Sequence, residues 1–246
     1  MPLGSERQPG SREKGAGCHA CALVNVVLLH PPLLSPVVWR RLAPLLAGAG
    51  HELSVPDLRS SGPVEGWWRR ARDAALFIAP QADAVVAHSG AGVLAPVVLD
   101  ALVGARATVL VDAVLPAIRG HTVVTPSMRE AVRRLAVDGV LPPWTSWWPL
   151  ETLAELVPDA SDRKALADEA PQLPEAFFDV AVPAPQAWEP PVRGYLQLSP
   201  AYQDAASKAG HRAWTIASLP ARHLDVLSDP GPVAEAILAL LEPVSR

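Results

Sequence analysis

Ala82-Asp83-Ala84-Val85-Val86-Ala87-His88-Ser89-Gly90-Ala91-Gly92 is a strand-length apolar run that gives way abruptly to small residues around one serine. The near-continuous apolar character of 82–87 is that of a parallel strand buried on both faces, and helical spacing resumes over 92–102. A strand that runs straight into a helix must turn sharply, and the small neighbours of Ser89 permit the strained backbone such a turn needs. The turn lifts the Ser89 hydroxyl above the sheet edge. It also brings the Gly90 N–H, at a helix N-terminus, to the same point, where it favours negative charge. The bland reading of these residues is a Gly-rich turn with an incidental serine.

Outward from this stretch, strands are expected over 23–29, 52–56, 107–111, 194–198 and 212–217, and helices over 38–47, 67–78 and 232–241. Gly48 and Gly50 close the first helix. Strands that alternate with helices imply an α/β protein with a doubly wound, mostly parallel sheet of about six strands. The segment between the strands ending at Val111 and starting at Gly194 is too long for one crossover helix, so 117–190 is expected to be a lid. Helical patches at 128–137, 150–156 and 163–170 make that lid a helical one. The expected domain spans 23–246, preceded by a disordered tail over 1–22 whose polar, Gly- and Pro-containing start lacks apolar periodicity.

Composition excludes several classes. The chain has 246 residues, half of them hydrophobic, enough for one large core. A formal charge of −4 without a basic stripe argues against nucleic acid and anionic membranes as partners. Asn25, His30 and prolines interrupt the best apolar run before it reaches membrane-spanning length. No secretory signal is evident, which makes a cytoplasmic location the expectation. Cys18 and Cys21 form a lone Cys-x-x-Cys with no second pair, so no metal site is expected.

A serine at such a turn needs a base from another loop at the carboxyl edge of the sheet. His223, which follows the last expected strand, stands on one. Asp225 and Asp229, beside Pro230, read as residues that open the closing helix. His88 either orients the turn or fills space beneath it.

Together, Val26-Val-Leu-Leu-His30, Trp39, Gly50-His51, Pro56-Asp57-Leu58, Ala87-His-Ser-Gly-Ala-Gly92, Val109-Leu-Val-Asp-Ala-Val-Leu-Pro116, His223 and Asp229-Pro230 resemble the α/β-hydrolase superfamily. Within it, the resemblance is to the small-lid branch of methylesterases and hydroxynitrile lyases, over roughly 24–241. It implies a Ser-His-Asp triad, a structural role for His30 and no cofactor.

Two departures from that pattern stand out. The family's His-Gly-x loop, whose x residue donates a second N–H to the oxyanion, is here His30-Pro31-Pro32, and proline has no N–H. Either Leu33 supplies the donor from a shifted loop beside Pro32, or Gly90 acts alone. The family's acid commonly follows the strand at 194–198, where this chain has Ser199-Pro200-Ala201-Tyr202. Asp112, after the preceding strand, is the expected acid, with Asp204 as the alternative. Trp144 and Trp148 of the lid and Tyr202 near the mouth are expected to line an apolar pocket, or else to form lid core.

Three functions follow. The first is a serine hydrolase acting on an ester or thioester of a small apolar molecule, as monomer or homodimer. The second, motivated by the doubled proline, is a lyase, isomerase or cyclase in natural-product tailoring. The third is a non-catalytic ligand-binding protein that keeps the hydrolase shell.

Overall fold

The computed structural model describes residues 24–59 and 62–245. The tail expected over 1–22, Cys18, Cys21 and the first residue of the strand expected over 23–29 lie outside the described residues.

Six strands form one all-parallel sheet: β1 (Asn25–Leu29), β2 (Glu52–Ser54), β3 (Ala84–His88), β4 (Ala107–Val111), β5 (Val192–Gln197) and β6 (Thr215–Ser218). Their order is β6-β5-β4-β3-β1-β2. Residues alternate strictly between two cores. Val26, Leu28, Val86 and Val109 point to one face, packed against Trp39, Leu46, Ile237 and Leu240. Val27, Leu29, Val85 and Leu110 point to the other, packed against Trp67, Ala71, Leu94 and Ala209. Burial on both faces is why the strands read as continuous apolar runs rather than alternating ones.

The first face is covered by α1 (Ala43–Gly48) and by the C-terminal helix Pro230–Leu241, the second by α2 (Trp67–Ile78), α3 (Ala95–Leu99) and a helix Gln203–His211. Several elements are shorter than expected, each for a local reason. The helix expected over 38–47 is split, because Ser35 caps a separate 3₁₀ turn over Pro36–Trp39 before α1 begins. The helix expected over 92–102 starts as a 3₁₀ turn at Ser89 itself and becomes α3 only at Ala95. The strand expected from 212 starts at Thr215, because Arg212 and Ala213, the latter at φ 58°, turn the chain out of the preceding helix.

Between β4 and β5 the chain leaves the sheet and forms three helices, Pro126–Leu135, Leu150–Leu156 and Ala160–Glu169. It also contains two short antiparallel ladders, Gly120–Thr122 with Val182–Ala184 and Val140–Leu141 with Leu173–Pro174, so this excursion is not purely helical. Arg40 and Arg41 reach across from the body to the buried carboxylate of Asp162, and Arg59 donates to the Glu169 carbonyl at 2.8 Å. Among the described residues no helix is long and apolar enough to cross a membrane.

Candidate active site

The carboxyl ends of β3 and β4 carry two strained turns locked to each other. Ser89 has φ 56° and Asp112 has φ 43°, both in the left-handed region that L side chains rarely adopt. The Val114 N–H donates to the Ser89 carbonyl at 3.0 Å. A Cβ on Gly92 would sit 2.1 Å from the Val114 carbonyl oxygen, so no residue but glycine fits there. Tyr195 braces the second turn from below, its hydroxyl donating to the Ala113 carbonyl at 2.6 Å and accepting from the Ala113 N–H at 3.2 Å.

These turns bring Ser89 and Asp112 to either end of the His223 imidazole. His223 Nε2 lies 3.0 Å from Ser89 Oγ, and Nδ1 lies 2.7 Å from Asp112 Oδ2. The carboxylate is fully buried and accepts three further hydrogen bonds. The Leu198 and Ser199 N–H groups each reach Oδ1 at 3.0 Å, and the Ser199 hydroxyl reaches Oδ2 at 2.7 Å. Burial alone pushes the Asp112 carboxyl up, but donation from His223 and from Ser199 outweighs it and holds the group below the ordinary carboxylate range. An ionised Asp112 fixes the proton on His223 Nδ1 and leaves Nε2 free to accept from Ser89.

His88 packs under His223 with ring centroids 4.6 Å apart and donates from Nε2 to the His223 carbonyl at 2.9 Å. Complete burial, with the His223 charge adding to it, lowers its pKa to about 3. It is therefore a neutral strut that positions the His223 backbone. His30 is likewise buried and neutral, its pKa lowered to about 4 by burial. Its Nδ1–H donates to the Pro31 carbonyl at 2.9 Å and Nε2 accepts from the Leu58 N–H at 2.8 Å, an arrangement only the neutral ring satisfies.

The other residues singled out from sequence fall in different places. Pro32 packs on the serine turn, its Cδ 3.4 Å from where a Gly90 Cβ would be. Leu33 is half-buried in the tight turn closed by the Leu34 N–H onto the Pro31 carbonyl at 3.0 Å. Asp204, the alternative acid, is on the surface, paired with Lys208 at 2.7 Å, and has no bond to His223. Asp225 opens a short helical turn and accepts from the Arg222 N–H at 2.8 Å. Asp229 precedes the closing helix without a side-chain capping bond.

Trp144 packs against the first core and meets Trp148 edge-on, while Trp148 is otherwise exposed. Neither lines the cavity beside the site. That cavity, about 370 Å³, lies between Pro32, the segment after β2 and the excursion between β4 and β5, and its aromatic wall is Trp67 against Phe177 at 4.3 Å. Its sides come from segments more than a hundred residues apart, so no local pattern marks them. A smaller hollow of about 220 Å³ lies at the opposite, amino end of the strands, by Asn25 and Glu52.

Tyr202 stands at the serine itself: its hydroxyl lies 3.3 Å from Ser89 Oγ, and its ring is parallel to His223 within 5° at 5.2 Å.

No family model matches the chain, and no curated protein matches its sequence. Solved structures do resemble it. An extracellular α/β-hydrolase from a Paenibacillus species, described as sharing structural and functional homology with tobacco salicylic acid binding protein 2, is 17% identical with a TM-score of 0.66, over 88% of this chain and 98% of that one. A pyrethroid hydrolase is 20% identical at 0.67, over 92% and 100% of the two chains. Polyneuridine aldehyde esterase is 16% identical at 0.67, over 90% and 99%. The chain has the α/β-hydrolase fold.

Proposed function

We propose that this protein is a serine hydrolase acting on an ester or thioester of a small apolar molecule. The observation that carries this reading is the unbroken line from Ser89 Oγ through His223 to Asp112, at 3.0 and 2.7 Å, on a strained turn. Ser89 Oγ attacks the acyl carbon while its proton passes to His223 Nε2, and the Gly90 N–H steadies the charge on the carbonyl oxygen. The leaving oxygen or sulfur departs with the proton from Nε2. Water then gives a proton to Nε2, attacks the acyl carbon and releases Ser89. Solved hydrolases and esterases of the same fold support the general class. The cavity wall formed by Pro32, Leu58, Trp67 and Phe177 suits an apolar acyl or alcohol group, and Arg59 and Arg70 stand on the same lining. The test is turnover of short- and medium-chain aryl esters and thioesters by the wild type, Ser89→Ala and His223→Ala. Hydrolysis lost in both variants supports the reading, and hydrolysis retained in Ser89→Ala refutes it.

Pro32 favours a second reading. Its ring packs on Gly90 and offers no N–H, which leaves the carbonyl oxygen with one fewer donor than acyl transfer ordinarily uses. Ser89 and His223 would then move a proton in a lyase, isomerase or cyclase reaction. A folded wild type that turns over no ester, but gains ester hydrolysis in Pro31→Gly/Pro32→Ala, would support this reading over the first.

A further inference from the structure

Resting on the hydrolase reading, we infer that Tyr202 is a catalytic residue that donates a hydrogen bond to Ser89 Oγ and stabilises the negative charge that develops on this oxygen as it attacks in acylation and as it leaves in deacylation.

The direction of donation follows from the protons available. Ionised Asp112 accepts from His223 Nδ1–H, so Nε2 is the acceptor for the single proton of Ser89. Ser89 Oγ then has lone pairs only to offer Tyr202, and the phenol at 3.3 Å must be the donor. Tyr202, Ser89, His223 and Asp112 thus form one chain with every proton pointing the same way, an arrangement in which each bond strengthens the next. Burial raises the Tyr202 phenol above its ordinary range, with the Asp112 charge acting in the same direction, so it keeps its proton.

Sheet order shows which atom the phenol serves. Tyr202 follows β5 and Pro32 follows β1, and these strands lie on opposite sides of β3, which carries Ser89. Tyr202 therefore approaches the serine from the side away from the loop that ordinarily supplies the second carbonyl-oxygen donor. It does not replace that donor. It acts on Oγ, and the chain holds it there because Asp112, reached from β4, leaves the turn after β5 free of the acid. That turn uses Ser199 to solvate Asp112 and Tyr202 to reach Ser89.

The step balances without further reactants. As Oγ transfers its proton to Nε2 and bonds to the acyl carbon, the carbonyl electron pair moves onto oxygen, and collapse expels the leaving atom with the Nε2 proton. In deacylation a water proton goes to Nε2, the water oxygen bonds to the acyl carbon, and collapse breaks the carbon–Oγ bond. Oγ recovers its proton from Nε2. Tyr202 donates to Oγ in both steps and keeps its own proton.

The experiment is burst kinetics with 4-nitrophenyl acetate on the wild type, Tyr202→Phe and Tyr202→Leu, with fluorophosphonate labelling of Ser89 in each. Phenylalanine keeps the stack on His223 and removes only the hydroxyl. Loss of a hydrogen bond to a charged group predicts acylation and deacylation both about 10- to 100-fold slower in Tyr202→Phe. KM is expected to be unchanged, because the contact is with Oγ and not with substrate. Tyr202→Leu is expected to be at least as slow as Tyr202→Phe, so the two together keep the test valid should either variant fold poorly. Wild-type rates in Tyr202→Phe, or a raised KM with kcat held, would overturn the proposal while leaving labelled Ser89 intact. Absence of labelling and turnover in the wild type would overturn the hydrolase reading and this proposal with it.

Discussion

Ser199 gives its hydroxyl to Asp112 Oδ2 at 2.7 Å, the same oxygen and the same distance at which that carboxylate accepts from His223. Two donors on one oxygen keep the buried Asp112 ionised. Ser199→Ala leaves the two backbone N–H groups on Oδ1 and removes one charge-assisted bond, worth about 1.5–3 kcal/mol. The variant is expected to lose about tenfold or more in kcat/KM, with the acid limb of its pH profile moved upward. An unchanged profile would show that Ser199 does not control Asp112.

Gly92 and Gly90 are predicted to respond very unequally to alanine. At Gly92 the new Cβ would stand 2.1 Å from the Val114 carbonyl oxygen, in backbone that cannot retreat without breaking the Val114 to Ser89 hydrogen bond. Gly92→Ala is expected to destabilise by about 3 kcal/mol or more, in the range of severe overpacking. At Gly90 the nearest atom is Pro32 Cδ at 3.4 Å, and Gly90→Ala is expected to cost less than about 1 kcal/mol. Denaturant unfolding of both variants measures the difference.

Stability should fall in acid ahead of carboxylate titration. His30 and His88 are held neutral in the fold with pKa about 4 and about 3, against 6.5 when unfolded. The unfolded chain therefore binds more protons below pH 6.5, and stability is lost as pH falls from there toward the folded values. Each histidine contributes about 1.4 kcal/mol per pH unit in that window. In His30→Gln, whose amide oxygen can still accept from the Leu58 N–H, the slope between about pH 6 and pH 5 is expected to be roughly halved. A slope equal to that of the wild type would remove His30 from this account.

Much of the fold is legible in the sequence because strands buried on both faces write themselves as apolar runs, as at Val26 to Leu29 and Ala84 to Ala87. The serine turn is legible because only small residues tolerate it, and Gly92 shows how little room there is. Ser89, Asp112 and His223 stand at strand ends or on the loop after one, where topology alone brings them to one edge. The rest depends on contacts between distant segments. Whether Trp144 faced the cavity or the core turned on how the segment between β4 and β5 packs, and Tyr202 reaches Ser89 from a 3₁₀ turn over Pro200–Tyr202. The split of the helix expected over 38–47 was written locally, in Ser35-Pro36, a cap followed by proline.

The doubled proline predicts a site short of one donor. Removing an oxyanion-hole donor costs about 10²–10³ in turnover. Pro31→Gly/Pro32→Ala, which restores an N–H at position 32, is expected to raise kcat on simple aryl esters by at least tenfold at similar KM. Unchanged or lower kcat in a folded variant would mean that the loop after β1 already completes the hole, or that it has no part in it.

The central claim is that Ser89 is a nucleophile activated by His223. Intact-mass analysis after fluorophosphonate treatment tests it most directly. One adduct on the wild type, none on Ser89→Ala and a labelling rate lowered by at least about 10²-fold in His223→Ala is the predicted result. An adduct that persists in Ser89→Ala, or Ser89 labelled at the wild-type rate without His223, would contradict it.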